Sequence, residues 1–393
     1  MTGEFHPPAR ILMGPGPSNV DPRVLLAMAK PMVGHLDPEF IKIMNSLQDL
    51  LRHIFGTKNA QTIPISGTGS AGMEAAFVNV VEPGDRVLVC VNGVFGERMT
   101  DVAGRCGGEV KTLSAPWGQT FDLPAVEKEL RSFQPKVLAI VQAETSTGVL
   151  QPIEEYAKIL KNYPDTLFLV DTVTSLGGHP VKVDEWGIDI CYSGTQKCLS
   201  CPPGLAPITF SPRAMKKIQG RARKVQSWYL DMNMVGKYWG SERTYHHTAP
   251  ISMNYALLEA LRIINEEGLE RRYERHHRNH RALVAGIEAM GLSMLVEKPY
   301  RLWSLNTVNI PSGIDDVKVR KKLLEEYNLE IGGGLGNLKG KIWRVGLMGH
   351  SSNESNVLYF LTALEQSIRE QGFEVPGGAG ASAAQEVYSK GTK

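Results

Sequence analysis

Leu167-Phe168-Leu169-Val170-Asp171, taken together with Tyr192-Ser193-Gly194-Thr195-Gln196-Lys197, decides how this chain folds. The first run is apolar throughout, is too short for a helix and ends in a carboxylate. The second passes from a strand pattern into small polar residues and then a lysine. A continuous apolar run of this kind belongs to a strand covered on both faces, as in a parallel sheet between helices. Outward from it, Thr62 to Ile65, Arg86 to Val91, Val137 to Gln142 and Ile188 to Tyr192 repeat the pattern, separated by helical stretches. The expectation is an α/β chain whose large domain has a mostly parallel sheet between helices.

On the N-terminal side, Pro38 to Phe55 has helical periodicity, and Gly14-Pro15-Gly16-Pro17-Ser18-Asn19 is too rich in turn formers to be anything but a fixed loop. Beyond Ser211 comes a basic, aromatic connecting stretch. A long helical pattern from Ser252 through Glu288 follows, then a shorter α+β pattern from Leu302 to about Gln371, which reads as a smaller C-terminal α+β domain. The expected divisions are an arm and loop (1–20), a large domain (21–265), a small domain (266–375) and a tail (376–393) rich in Gly, Ala and Ser, expected to lack fixed structure.

The balance of 43 basic and 41 acidic side chains in 393 residues gives no one-signed surface for a polyanion or an anionic membrane. No apolar run approaches the roughly 20 residues of a membrane helix, and Met1 to Arg10 lacks the regions of a secretory signal. Neither a nucleic-acid nor a membrane partner is expected. The 5 cysteines suit a reducing compartment, and Cys198 and Cys201 form a lone C-x-x-C that reads as small packed thiols.

Asp171 closes its strand where α/β sheets expose ligand sites. Lysine is the residue that forms imines with carbonyl cofactors. Pyridoxal phosphate needs such a lysine, and it needs a carboxylate to keep its ring nitrogen protonated, so Lys197 and Asp171 match its demands. Once displaced by an incoming amine, the lysine can also carry the substrate's Cα proton. Each residue alone has a commoner role, the aspartate as a cap and the lysine as a solvated charge. Ser66-Gly67-Thr68-Gly69-Ser70-Ala71-Gly72 lies between the strand Thr62 to Ile65 and a helical pattern from Met73 to Val81, and such a helix start offers free N–H groups to a phosphate. It is not a Walker loop.

These motifs, in order along nearly the whole chain, resemble the class V aminotransferases of fold type I, especially those acting on alanine or serine with glyoxylate. They are GPGPSN (14–19), SGTGSAGMEA (66–75), ETSTGVLQP (144–152), VDTVTSLGG (170–178), SGTQK (193–197), YHHT (245–248), and GGGLG followed by WRVGLMG (332–349). The resemblance implies a seven-stranded sheet, pyridoxal 5'-phosphate as cofactor, Lys197 as its Schiff-base lysine and Asp171 as the partner of its ring nitrogen. Val173 would pack on one face of the ring. Thr68, Gly69, Ser70 and Gln196 would border the phosphate. Tyr245 and Thr248 would be lent across a homodimer. Arg344 would hold the substrate carboxylate with its planar fork. Ser146 and Gly16 would wall the pocket. Phe95 stands where relatives often carry a ring-stacking tryptophan, and Ser70 where some carry histidine.

The implied reaction is transamination of glyoxylate to glycine with L-alanine or L-serine, through a pyridoxamine intermediate and ping-pong kinetics. Ureidoglycine or 3-hydroxykynurenine are alternative donors. A cysteine desulfurase on the same fold would need a mobile cysteine, which Cys198 and Cys201, followed by Pro202-Pro203, do not suit. A non-catalytic scaffold is hard to reconcile with Asp171, Lys197 and Arg344 together. No metal is expected: His276, His277 and His280 lack the H-E-x-x-H glutamate, and the arginines around them read as a solvated helix face; His246 and His247 carry no metal signature either. Trp228-Tyr229-Leu230-Asp231 and Tyr238-Trp239 read as packing at a domain or subunit boundary. The cytosol is the expected compartment, since the C-terminus does not match the S-K-L peroxisomal address and no transit segment stands out.

Overall fold

A computed structural model describes residues 6–390. Its main sheet has seven strands: β1 (Gln61–Ser66), β2 (Arg86–Val91), β3 (Glu109–Ser114), β4 (Val137–Val141), β5 (Leu167–Asp171), β6 (Ile190–Tyr192) and β7 (Leu205–Phe210). Their spatial order is β1-β7-β6-β5-β4-β2-β3, with only β7 antiparallel to its neighbours. The architecture is the α/β one expected, a mostly parallel sheet between helices. Every residue of β4, β5 and β7 is buried, as a sheet covered on both faces requires.

Two strands escape the sequence reading. β3 is an edge strand whose polar, partly exposed residues carry no apolar run. β7 contains Pro207, paired with Pro64 of β1, and a proline ordinarily argues against an interior strand.

The long helical pattern after Ser252 is two helices, Ile251–Glu267 and Leu269–Ala289, broken at Gly268 (φ 81°), a left-handed conformation that favours glycine. A three-stranded antiparallel sheet formed by Leu305–Asn309, Ile342–Gly346 and Gly332–Gly333 belongs to the C-terminal part. One hydrophobic core draws its residues from 24–264 and a second from 282–388, to which Met13 of the N-terminal segment is added. Ile11–Leu12 pairs in parallel with Leu329–Glu330, so the arm is stitched to the C-terminal part.

The tail corrects an expectation. Ala379–Lys390 is an α-helix packed on Leu269–Ala289, with Ala384 and Tyr388 buried. Composition misleads here because alanine is the best helix former and this helix needs only a narrow apolar stripe. A Cβ on Gly286 would stand 2.7 Å from the Gly380 carbonyl, so glycine permits this close crossing. Arg278 donates to the Tyr388 carbonyl (2.8 Å), and the Tyr388 hydroxyl donates to Asn279 (2.9 Å). Residues 391–393, part of the same expectation, lie outside the described residues.

Candidate active site

The C-terminal end of β5 presents Asp171, and the chain leaving β6 brings Lys197 to the same edge of the sheet. Asp171 is 2% exposed; its Oδ1 accepts from the Val173 N–H (2.8 Å) and its Oδ2 from the Tyr192 hydroxyl (2.6 Å). Burial pushes this carboxyl up to about 6, and the Tyr192 hydrogen bond works against that rise. Tyr192 is the residue directly opposite Asp171 in the β5–β6 register. Its place beside Asp171 has no local sequence signal, because only the pairing of the two strands brings the two together.

Lys197 is almost wholly buried, and burial lowers its amine to about 8, with the Arg344 cation adding to the effect. Its Nζ donates to the Pro15 carbonyl. Gly16 (φ 104°) lies so close to Nζ that a Cβ there would overlap the amine. The Ser18 hydroxyl donates to the Lys197 carbonyl (2.9 Å), which fastens the Gly14 to Asn19 loop over the lysine.

The helix Gly69–Val80 starts at Thr68, whose side chain makes no cap hydrogen bond, and Thr68 and Ser70 are exposed. Its first N–H groups are therefore free for an anion. Gly69 approaches Val173 and Gly194 closely enough that an added Cβ would lie 3.5 Å from each. Gln196 keeps a buried Oε1 without a partner in this corner.

Arg344 lies on the small sheet and is 7% exposed. Its Nε donates to the Gly333 carbonyl (2.7 Å) and one terminal nitrogen to the Thr145 carbonyl (3.4 Å), and among the described residues it pairs with no carboxylate. Burial lowers it to about 10.

Ser146 is buried, and its hydroxyl donates to Glu144 Oε1 (2.6 Å) while accepting from the Val94 N–H (3.0 Å). Glu144, which the sequence reading quoted only inside a motif, is fully buried and raised to about 7 by that burial. Its Oε2 accepts from the N–H groups of Phe95 (3.2 Å) and Gly96 (3.4 Å). It thus caps the helix Val94–Arg105 from outside, since Gly93 at the helix start has no side chain to do so. Phe95 is half-buried under the Arg98 guanidinium, 4.9 Å from its ring centre.

Tyr245 and Thr248 lie in an exposed loop, where Tyr245 lies against His35 (ring centres 5.0 Å) and the adjacent His247 bonds Ser66 (2.8 Å). Nearby, Trp228 stacks on His246 (4.3 Å) and is exposed, whereas Tyr238 and Trp239 are buried.

The basic stretch read as a solvated face is interior along one stripe, with Arg271 and Arg281 left exposed. Arg272 and His276 are 3% and 0% exposed, and His280 is also buried. Arg272 donates to the carbonyls of Gly177 (2.9 Å) and Cys198 (2.6 Å) and pairs with Glu267 (2.6 Å). Arg275 donates to the Gly349 carbonyl (2.9 Å), and His276 Nε2 accepts from the Gly349 N–H (2.9 Å). One helix turn thereby ties the segments following Asp171, Lys197 and Arg344. All five cysteines are buried.

A buried lysine without an acidic partner, a buried carboxylate, an uncapped helix start and an unpaired guanidinium are the donor set that a phosphorylated pyridine aldehyde and an amino-acid carboxylate require. The residues fit that cofactor. The Aminotransferase class-V family model matches residues 12–345. An alanine–glyoxylate aminotransferase from Nostoc sp. is 52% identical with a TM-score of 0.92, covering 94% of this chain and 98% of that one. The ureidoglycine–glyoxylate aminotransferase of Bacillus subtilis is 43% identical with a TM-score of 0.97, covering 98% and 100%. The alanine–glyoxylate aminotransferase of Felis catus is 40% identical over 92% of this chain and 88% of its own length.

Proposed function

We propose, for a chain that belongs to the class-V aminotransferases and is a pyridoxal-phosphate-dependent transaminase, that it moves the amino group of L-alanine, or L-serine, to glyoxylate and so makes glycine. The observation that carries this reading is Arg344, a buried guanidinium without a carboxylate partner, set at the same site as the buried amine of Lys197.

Lys197 would hold the cofactor's aldehyde carbon, Asp171 its ring nitrogen, and Val173 and Phe95 its two faces. Thr68, Gly69, Ser70 and Gln196 would surround its phosphate. When bound, pyridoxal phosphate supplies an electron-withdrawing ring that stabilises the negative charge left at the substrate Cα. Arg344 orients the substrate by its carboxylate, and Ser146 and the Gly16 loop bound the space around the side chain. Lys197, once free, would take the proton from the substrate Cα; an amine lowered to about 8 is partly neutral near pH 7 and suits that base.

The protein acts as a homodimer in this reading, with Tyr245 and Thr248 completing the partner's phosphate site. Their exposure, and that of Trp228 and Tyr229 beside them, supports the assignment. The cytosol is the proposed compartment; among the described residues no helix is long and apolar enough to cross a membrane.

A second reading, with ureidoglycine as donor, is supported by the likeness to the Bacillus subtilis enzyme. A desulfurase is disfavoured by the cysteines, all buried, with Cys198 held against the Thr174 carbonyl (3.4 Å). Donor profiling of the purified holoenzyme with glyoxylate tests the choice. Alanine or serine should support the fastest glycine formation, and a faster rate with ureidoglycine would replace the first reading by the second.

A further inference from the structure

Glu144 is a wholly buried carboxyl whose hydrogen-bond partners are all uncharged. The Ser146 N–H (3.1 Å) and hydroxyl (2.6 Å) meet one oxygen, and the N–H groups of Phe95 (3.2 Å) and Gly96 (3.4 Å) meet the other. Burying a carboxylate with no cation bonded to it is costly. Capping a helix does not require it, since serine, threonine or asparagine at position 93 would do so locally. Position 93 is instead a glycine, and a Cβ there would overlap the Glu144 carboxyl carbon. The chain gives up its local cap to admit one from a distant strand.

What the distant cap joins gives it a purpose. Ala143–Glu144 pairs with Val149–Leu150, and the turn between them carries Ser146. Val141, just before, lies opposite Asp171 in the sheet register, and the Gln142 N–H donates to the Asp171 carbonyl (2.9 Å). One end of Glu144 is thereby held in register with Asp171. Its other end grips the first turn of the helix Val94–Arg105, where the Phe95 ring sits under the Arg98 guanidinium. Ser146 is fixed between the two, its hydroxyl also accepting from the Val94 N–H (3.0 Å). The Glu144 charge reaches Arg344 as well, where it opposes the lowering caused by burial.

We infer that Glu144 is a positioning residue for the transaminase, one side chain that sets the Phe95 ring and the Ser146 hydroxyl in place relative to Asp171. The inference rests on the assignment of Phe95 and Asp171 to the same cofactor ring. Length matters here: aspartate, one methylene shorter, cannot hold Ser146 and reach the Phe95 N–H together. Glutamine keeps the reach, its carbonyl oxygen facing the helix start and its NH2 group donating to the Ser146 hydroxyl, and loses only the Ser146 N–H bond.

Holoenzyme of wild type, Glu144→Asp, Glu144→Gln, Phe95→Leu and the two double variants tests this, with coenzyme dissociation and the visible circular dichroism of the bound coenzyme measured in the absence of substrate. Glu144→Asp should raise the coenzyme Kd about two- to tenfold, the worth of one ring-on-ring contact of roughly 0.5–1.5 kcal/mol, and should change the dichroism. Glu144→Gln should act in the same direction by about twofold. With Phe95→Leu already present, either change should add almost nothing, because a residue that acts through Phe95 has little left to act on. The cycle can be closed with either variant, so a Glu144→Asp chain that fails to fold does not remove the test. Wild-type affinity and dichroism in the folded variants overturn the inference, and so do effects that add in full to those of Phe95→Leu, the mark of general loosening. With no donor or acceptor present, the enzyme's preference among donors has no bearing on either result.

Discussion

Asp171 is a carboxyl whose titration the protein has moved to where it matters. Ionised above about 6, it can face a protonated ring nitrogen; protonated below, it cannot. Cofactor affinity should therefore be full at neutral pH and fall as pH drops through 6, in an absorbance titration of apoprotein with pyridoxal phosphate. Tyr192→Phe deletes the hydroxyl that stabilises the anion. A hydrogen bond to a charged group contributes about 1.5–3 kcal/mol, so that acid limb should move upward by about one to two pH units. Lys197 runs the other way: its amine is neutral above about 8, so the rate of cofactor attachment should rise with pH and level off beyond that value. Lys197→Ala should cost about 10²–10⁴ in kcat, the usual worth of a positioned acid–base group, measured as glycine formed from glyoxylate. At Gly93, an added Cβ would fall 2.5 Å from the Ser146 hydroxyl. Gly93→Ala should lower stability by about 1–3 kcal/mol in urea unfolding.

At the scale of elements, the helix Leu269–Ala289 works as a tie rather than a surface. Arg272, Arg275 and His276 occupy one turn and bond three loops that carry, or follow, the candidate catalytic residues. Arg272→Met would leave two buried carbonyls without donors and remove one of the two cations that pair with half-buried Glu267, a loss of about 2–5 kcal/mol. Arg272→Lys, with one point of donation in place of a fork, should lose less stability while still lowering kcat more than it raises KM, because the loop spacing and not substrate contact is altered. Unfolding curves and steady-state kinetics of the two variants check this. The sequence hid this role for a physical reason: the acceptors are backbone carbonyls of remote loops, and a row of arginines and histidines has the same periodicity whether it faces water or main chain. The tail helix was hidden in a similar way, since its packing depends on Gly286 and Gly380 meeting across two helices.

For the whole molecule, the proposed sharing of sites between subunits makes a numerical prediction. Lys197→Ala chains mixed with chains carrying Tyr245→Phe and Thr248→Val should regain activity, because half the randomly assembled dimers contain one intact site, giving about a quarter of the wild-type rate. If both residues act within their own chain, the mixture stays inactive. Much of this architecture was legible from Leu167–Asp171 outward, because strands covered on both faces announce themselves by composition, and the ends of parallel strands bring Asp171 and Lys197 to one edge whatever the loops do. Tyr192 and Glu144 were not legible as site residues: each acquires its role from pairing or burial against a distant segment, and neither has a local pattern that says so. Arg344 stands out through its motif, and its lack of a carboxylate partner among the described residues is visible only in three dimensions.

The N-terminal segment also constrains the order of events during biosynthesis. Ile11–Leu12 pairs with Leu329–Glu330, Met13 accepts from the Gly346 N–H, and the next residues, Pro15 and Gly16, cover Lys197. A ribosome delivers the first of these partners long before the last. The nascent large domain can therefore fold around its sheet while its lysine is still uncovered, and the pocket closes only after Gly346 has emerged from the exit tunnel.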